Sequence, residues 1–374
     1  MTTTNPGAGV DTLATDCRWF RGDVPCAPHK REGVHCFDAR GNRCSHYQRC
    51  TSDVLIIKLG AAGDVIRTTP LLHRLRATMP DARIWWLTLY PELLGPAVDV
   101  ALPFTPQSLA VLQATSFDVL CNLDKDREAC ALAALLSART KHGFTLLAGK
   151  PAPINAAAHH KFLTGVFDDL SRDNTRHYVE EIFEICGFPF NGERYILDAC
   201  RDRGYTWKIP RTKPVVGLNT GCGGRWSSRL WPERHWVNLA GRLRRAGYTP
   251  LLLGGPQEDA SNKQIARTSR ALYPGHFPLP QFINEIDQCS LVVTAVTMAM
   301  HIAIGLEKKL VLFNNVFNRH EFDLYGLGTI LEPEGGCTCY YAPTCTDPRH
   351  QPSGCMKNLS VETVFRAVQN LLPA

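Results

Sequence analysis

The sequence has no apolar run approaching the roughly 20 residues needed to cross a bilayer. Its first residues, M-T-T-T-N-P-G-A-G-V-D, have no basic stretch followed by an apolar core, so a secretory signal is not expected. The cytoplasm is the expected location. Charge of either sign is scarce in excess: 41 Lys and Arg stand against 35 Asp and Glu, a formal net charge of +6. That small, dispersed surplus argues against a nucleic-acid binder. It suits an anionic substrate, or a peripheral contact with the anionic inner face of a membrane. No internal repeat is visible, which excludes solenoids and propellers.

What is abundant is cysteine, with 15 in 374 residues, nine of them near the two ends. In a reducing compartment such clusters point to metal more than to disulfides. Residues 1–16 read as a disordered leader and 17–50 as a Cys-rich segment. Cys17, Cys26, Cys36, Cys44 and Cys50 alternate there with His29, His35 and His46. No amphipathic period is present, so the segment needs a staple, and zinc or an iron centre would supply it. The spacing matches no standard C-x-x-C finger. Cys50 has no assigned role. Cys337, Cys339, Cys345 and Cys355 form a second group in residues 337–374, ahead of a helix over Ser360–Leu371.

Between the ends, strands and helices alternate, which implies parallel sheets covered on both faces. Residues 51–200 carry strands at Val54–Leu59, Ile84–Thr88, Val119–Leu123 and His142–Phe144. Helices are expected over Val65–Thr78, Arg127–Ser137 and Thr175–Gly187. Residues 201–213 read as a linker, and the alternation restarts in 214–336. There, strands at Val215–Asn219, Pro250–Leu253, Leu291–Val293 and Leu310–Phe313 alternate with helices at Trp236–Gly247, Phe282–Gln288 and Ala299–Leu306. The fold class is therefore α/β, with two Rossmann-like halves and a cleft between them. The stretch V-L-I-I-K-L-G-A-A-G-D, Val54–Asp64, organises the first half: a strand, a glycine turn, and a carboxylate at a helix start. Asp64 reads either as a simple helix cap or as a functional acid at the rim where open α/β sheets bind ligands. Trp231 and Trp236 read as core.

Three blocks in order resemble glycosyltransferase family nine, the ADP-heptose:lipopolysaccharide heptosyltransferases. They are VLIIKLGAAGDVIRTTPLLHRLRATMPDARIWWLT, VVGLNTGCGGRWSSRLWPERHWVNLAGRLRRAGYTPLLLGGPQE and LVVTAVTMAMHIAIGLEKKLVLF. The resemblance spans roughly residues 52–372. It implies a GT-B fold with the acceptor on the first domain and a nucleotide sugar, an ADP-sugar, on the second. It also implies inversion at the anomeric carbon with no cofactor for catalysis. Asp64 would be the general base, with Gly63 and Arg67 on the acceptor side. Arg229 falls where the family places a phosphate-binding lysine. The resemblance also assigns donor contacts to Thr220, Gly221, Ser227, Ser228, Glu258, Thr297, Met298, Ala299 and His301. Glu258 would serve the ribose, and His301 reads equally as a packed core residue.

Two positions depart from the family. Val296 stands in place of its acidic residue and Met298 in place of its glycine. Some protein-modifying heptosyltransferases carry an iron-binding cysteine cluster, which the C-terminal cysteines resemble. The last helix of GT-B enzymes often crosses back to the first domain, so the two Cys-rich ends are expected to meet, at one shared site or at two adjacent ones. The acceptor is left open among a glycan, a protein and a small metabolite. The alternative from another class is a metal-stapled binding protein on a degenerate transferase fold.

Overall fold

The computed structural model describes residues 13–197, 205, 207–210, 212–224 and 226–373. Of the expected 201–213 linker, residues 201–204, 206 and 211 lie outside the described residues.

A small unit leads the chain. It holds α1 (Ala27–Glu32) and two isolated β-bridges, Cys17 with Arg49 and Phe37 with Arg43. It begins before Cys17, because Ala14 is buried and Asp16 accepts a 2.5 Å hydrogen bond from the Tyr47 hydroxyl. The first lobe follows, with strands β1 (Ser52–Ile57), β2 (Ala82–Thr88), β3 (Val100–Pro103), β4 (Ser116–Asn122), β5 (Ser137–Leu147) and β6 (Lys150–Pro153). Its helices are α2 (Ala62–Thr68), α3 (Leu71–Thr78), α4 (Pro106–Gln113), α5 (Arg127–Leu135), α6 (His159–Leu163), α7 (Asp168–Asp173) and α8 (Tyr178–Ile185). The second lobe has β7 (Val215–Asn219), β8 (Thr249–Leu253), β9 (Leu291–Ala295), β10 (Lys309–Phe313) and β11 (Gly328–Leu331). Around them lie α9 (Glu233–Arg245), α10 (Asp259–Ser269), α11 (Leu279–Asp287), α12 (Met298–Gly305) and α13 (Val361–Leu371).

Strand order is β3-β2-β1-β4-β5-β6 in the first lobe, parallel except for β6, and β11-β10-β9-β7-β8 in the second, parallel throughout. Each sheet reverses its winding direction once, between β1 and β4 and between β7 and β9. Crevices for ligands open at the carboxyl ends of such strand pairs. The central strands are buried on both faces, which is why they read as unbroken apolar runs. One hydrophobic cluster runs through both lobes, from Val54, Ile66 and Leu72 to Val292, Ile302 and Leu312. Trp231 and Trp236 are core residues of the second lobe.

The helix expected over Val65–Thr78 is two helices. Thr69 turns its hydroxyl onto the Ile66 carbonyl, and Pro70, which has no N–H to give, separates α2 from α3. The two Cys-rich ends do not meet. The leading unit docks at the amino-terminal edge of the first sheet, where Arg18 pairs with Asp99 at 2.9 Å and donates to the Pro80 carbonyl. The last helix, α13, packs on α9 and β10, within the second lobe. Among the described residues no hydrogen bond or ion pair joins 17–50 to 337–355. No helix among the described residues is long and apolar enough to cross a membrane.

Glu285 on α11 is fully buried, and among the described residues neither carboxylate oxygen has a hydrogen-bond partner. Burial pushes its pKa up to about 8. The folded chain therefore keeps a proton that the unfolded chain gives up near pH 4.5, and stability falls as pH rises through that window. Glu285→Gln is expected to stabilise the protein more at pH 8 than at pH 5, by about 1 kcal/mol or more. Denaturant unfolding at both pH values checks this, and an equal effect at both contradicts it.

Candidate functional site

A cavity of about 720 Å³ separates the lobes at the carboxyl ends of β1, β7 and β9. Asp64, Arg67 and Tyr90 face it from the first lobe, and Arg229, Glu258, Thr297 and Glu321 from the second. The lobes touch through α2 and α12. A Cβ placed on Gly63 would lie 2.5 Å from the His301 ring, so only glycine lets these helices come this close. His301 is buried and stacked on Tyr195, and its pKa is pushed down to about 3 by burial and then by the Arg67 charge. It is thus a neutral packing residue that also lines the cleft, which joins the two readings of its sequence.

Asp64 is the third residue of α2, not its cap residue. The cap position is Ala61, whose N–H donates to the Asp64 carboxylate at 3.1 Å. Its side chain stays 30% exposed, at the cleft mouth. Arg67, one turn on, pairs with Asp64 at 2.8 Å and reaches across the gap to Glu321 at 2.8 Å. The guanidinium lies 3.5 Å from the Tyr178 ring centroid. Burial pushes the Asp64 pKa upward, but the Arg67 and Lys58 charges outweigh it and hold the carboxyl at about 2. Lys58 is itself buried and bonded to Asp124 at 2.7 Å, and Asp124 also accepts the Leu59 N–H at 2.6 Å. This pair stands at the β1/β4 winding reversal and anchors the turn that carries Asp64. A smaller cavity of about 190 Å³ opens beside it, lined by Lys125, Asn174 and Tyr178 and sharing Asp64 and Arg67 with the main cleft.

On the facing lobe Arg229 is buried, at 8% exposure. It donates to the carbonyls of Val296 and, at 2.9 Å, Cys222. Its Nε has no partner, and no carboxylate among the described residues pairs with it. Trp226 and Phe317 lie 5.4 and 5.3 Å from the guanidinium. Burial pulls its pKa down, as expected for a cation short of a counter-charge. The N-terminus of α12 opens onto the same space, with Thr297, Met298 and Ala299 in the lining. A buried guanidinium with no carboxylate partner beside a helix N-terminus is an arrangement that suits an anion.

Gly221 and Glu258 also line the cleft, pressed together so that a Cβ on Gly221 would strike the carboxylate. Three residues expected among the donor contacts are used elsewhere. Thr220 donates its hydroxyl to Asn262 at 2.6 Å. Ser227 and Ser228 donate theirs to the carbonyls of Pro343 and Ala342. Val296 lines the cleft and accepts from Arg229 through its backbone carbonyl. Lys58–Asp124, Glu321, Tyr341 and Asn318 escaped the sequence reading. Only the lone charged Lys58 in an apolar strand and the Asp-Lys-Asp at 124–126 were available as signals.

The C-terminal cysteines converge. The sulfurs of Cys337, Cys345 and Cys355 lie within 4.8 Å of one another, and Cys339 Sγ is 3.8 Å from Cys345 Sγ. Thiolates at metal–sulfur distances of about 2.3 Å in a tetrahedral site stand about 3.8 Å apart, so the triad of Cys337, Cys345 and Cys355 could hold a metal ion, with Cys339 beside it. The backbone N–H of Thr346 donates to Cys339 Sγ at 3.0 Å and the Asn315 amide to Cys355 Sγ at 3.2 Å, as outer contacts to thiolates do. Cys17, Cys26, Cys36 and Cys44 line one apolar cavity of about 330 Å³, and among the described residues they do not form such a close group.

Two doubly wound lobes closing on a cleft define the GT-B class of glycosyltransferases. Residues 110–320 match glycosyltransferase family 9 (heptosyltransferase), and the chain belongs to that family. No curated protein matches it significantly. A glycosyl transferase family 9 structure from Veillonella parvula is similar at TM-score 0.65 and 18% identity, over 86% of this chain and 97% of that one. The ADP-heptose lps heptosyltransferase II of E. coli gives 0.61 and 17%, over 86% and 98%. The dodecameric iron-containing heptosyltransferase TibC of enterotoxigenic E. coli, in complex with ADP-D-beta-D-heptose, gives 0.53 and 12%, over 86% and 76%.

If the C-terminal thiols hold a metal, purified protein carries about one equivalent, and Cys345→Ser loses it. Plasma mass spectrometry of both proteins reads this directly, and no stoichiometric metal in the unaltered protein contradicts it.

Proposed function

We propose that the protein transfers a heptose-type sugar from an ADP-activated donor to a glycan hydroxyl, with inversion and with Asp64 as general base. The observation that carries this reading is the buried Arg229, short of a counter-charge, on the opposite side of one cleft from the carboxylate Asp64. The donor diphosphate would complete the guanidinium and lie at the α12 N-terminus, where N–H donors stabilise the charge of the departing nucleoside diphosphate. Glu258 would hold the ribose. Gly63 and Arg67 border the acceptor side, and the adjoining 190 Å³ cavity is on the scale of one sugar ring.

The acceptor hydroxyl would enter from that side and attack the anomeric carbon from the face opposite the diphosphate. Its proton passes to Asp64 as the new bond forms. A carboxyl held near 2 is a weak base toward a resting hydroxyl, but the hydroxyl turns acidic in the transition state, and such assistance is typically worth about 10²–10⁴-fold. Sharing of Arg67 between Asp64 and Glu321 gives the base a way to regain proton affinity. As the guanidinium moves toward Glu321, the charge that depresses Asp64 recedes. A structural zinc or iron ion at the C-terminal thiols, with no part in the chemistry, completes the reading. The working location is the cytoplasm, with any membrane contact peripheral.

ADP is expected to raise the melting temperature while UDP and GDP at equal concentration do not, because a ligand that binds the folded state stabilises it. Arg229→Met removes a buried charge that has no carboxylate partner but also its bonds to the Val296 and Cys222 carbonyls, so the stability of the unliganded protein should change by no more than about 2 kcal/mol. Its ADP affinity should fall about tenfold or more, as loss of charged hydrogen bonds implies. Thermal shift and titration calorimetry test both halves. Unchanged ADP binding in the variant removes Arg229 from the donor site.

Asp64→Asn should lower glycosyl transfer by about 10²-fold or more while ADP binds within about twofold of the parent. Mass spectrometry of products from ADP-heptose and candidate acceptors measures this. Full turnover in the variant removes Asp64 from its role, and a modified peptide or metabolite as the sole product replaces the glycan with that acceptor.

A further inference from the structure

The residues that follow Cys339 leave the thiol cluster and cross the gap between the lobes. The Tyr340 hydroxyl donates to Ser171 Oγ at 2.8 Å, and the Arg172 guanidinium sits 4.8 Å from the Tyr340 ring centroid. Both partners lie on α7, in the first lobe. Tyr341 turns the other way, into the cleft. Its ring packs 5.1 Å from Phe317 and 6.1 Å from Trp226, the two rings beside Arg229, and its hydroxyl reaches Glu321 at 3.5 Å. To do so it adopts φ 49, a left-handed backbone that a bulky residue holds only when its surroundings impose it.

Those surroundings are specific. The Tyr341 N–H donates to the Val316 carbonyl at 2.9 Å. Ser228 takes the Ala342 and Pro343 carbonyls through its hydroxyl and its N–H. Asn315 joins this anchor to the cluster, donating to the Ser228 carbonyl at 2.7 Å and to Cys355 Sγ at 3.2 Å. Three residues on, Asn318 gives its amide to the carbonyls of Ser171, Arg172 and Asn174. The end of α7 is thus gripped twice from the second lobe, by Asn318 and by Tyr340.

We propose that residues 339–343 are an interlobe strap, fixed at one end by the thiol cluster, and that Tyr340 and Tyr341 are positioning residues that hold the lobes at transfer distance. Tyr340 ties α7 to the second lobe. Tyr341 props Glu321, which shares Arg67 with Asp64, and closes the aromatic side of the Arg229 pocket. The C-terminal cysteines thereby act on the site although none of the four is among the residues lining the main cleft.

The kinetic part rests on the transferase reading; the exchange part needs no donor and separates the two. Hydrogen exchange is followed over 168–176, with α5, in the same lobe and away from the strap, as reference. Tyr340→Phe, which keeps the ring and loses the Ser171 bond, should speed exchange over 168–176 about threefold. Cys345→Ser should speed it about tenfold, with α5 unchanged in both. Tyr340→Phe should also lower kcat about fivefold with the donor KM within twofold, because the donor contacts lie on the second lobe alone. If Cys345→Ser unfolds the chain, α5 exchanges as well and Tyr340→Phe decides. Unchanged exchange over 168–176 in Tyr340→Phe, or a donor KM that rises while kcat holds, overturns the proposal.

Discussion

The contact of Gly63 with the His301 ring sets how near the two lobes can come, and the cleft chemistry depends on that approach. A side chain at Gly63 would push α2 from α12. Asp64 and Arg67 ride on α2, and the helix end beside Arg229 belongs to α12. The distance between Asp64 and Arg229 therefore depends on two helices packed glycine against the His301 ring. A continuous apolar cluster runs behind that contact, so separating the helices would also open core surface to water.

Electrostatics in the cleft follow a division of labour. The first lobe keeps its charges paired: Lys58 with Asp124, and Arg67 with both Asp64 and Glu321. Such closed pairs contribute little net stability but fix geometry, since removing either partner strands a buried charge. The second lobe leaves its key charge open, because Arg229 has carbonyls and aromatic faces but no carboxylate. One side of the cleft is thus preorganised around a carboxylate, and the other presents a guanidinium with no carboxylate partner among the described residues.

The two-sheet architecture was legible in the sequence because buried parallel strands read as apolar runs closed by glycine turns. Val215–Asn219 matches to the residue, and most other strands differ by a few residues at their ends. Asp64 and Arg229 were reachable through the block resemblance. Lys58–Asp124 and Arg67–Glu321 were not, because partners 66 and 254 residues apart leave no local pattern. Ser227 and Ser228 sit in the right block yet bond to residues 342–343, more than 100 positions away. The cysteines illustrate both limits. Count and clustering marked both ends, but only the fold shows that Cys337, Cys345 and Cys355 converge while the leading cysteines spread around a cavity at the amino-terminal edge of the first sheet.

The central claim is that a nucleotide's diphosphate closes the charge on Arg229 while the attached sugar faces Asp64. A crystal structure with a non-transferable ADP-sugar analogue tests it most directly. The account predicts diphosphate oxygens within hydrogen-bond reach of the Arg229 guanidinium and the α12 N-terminus, and the anomeric carbon turned toward Asp64 with room for one acceptor oxygen between them. A diphosphate bound away from Arg229, or a sugar directed away from Asp64, would contradict it.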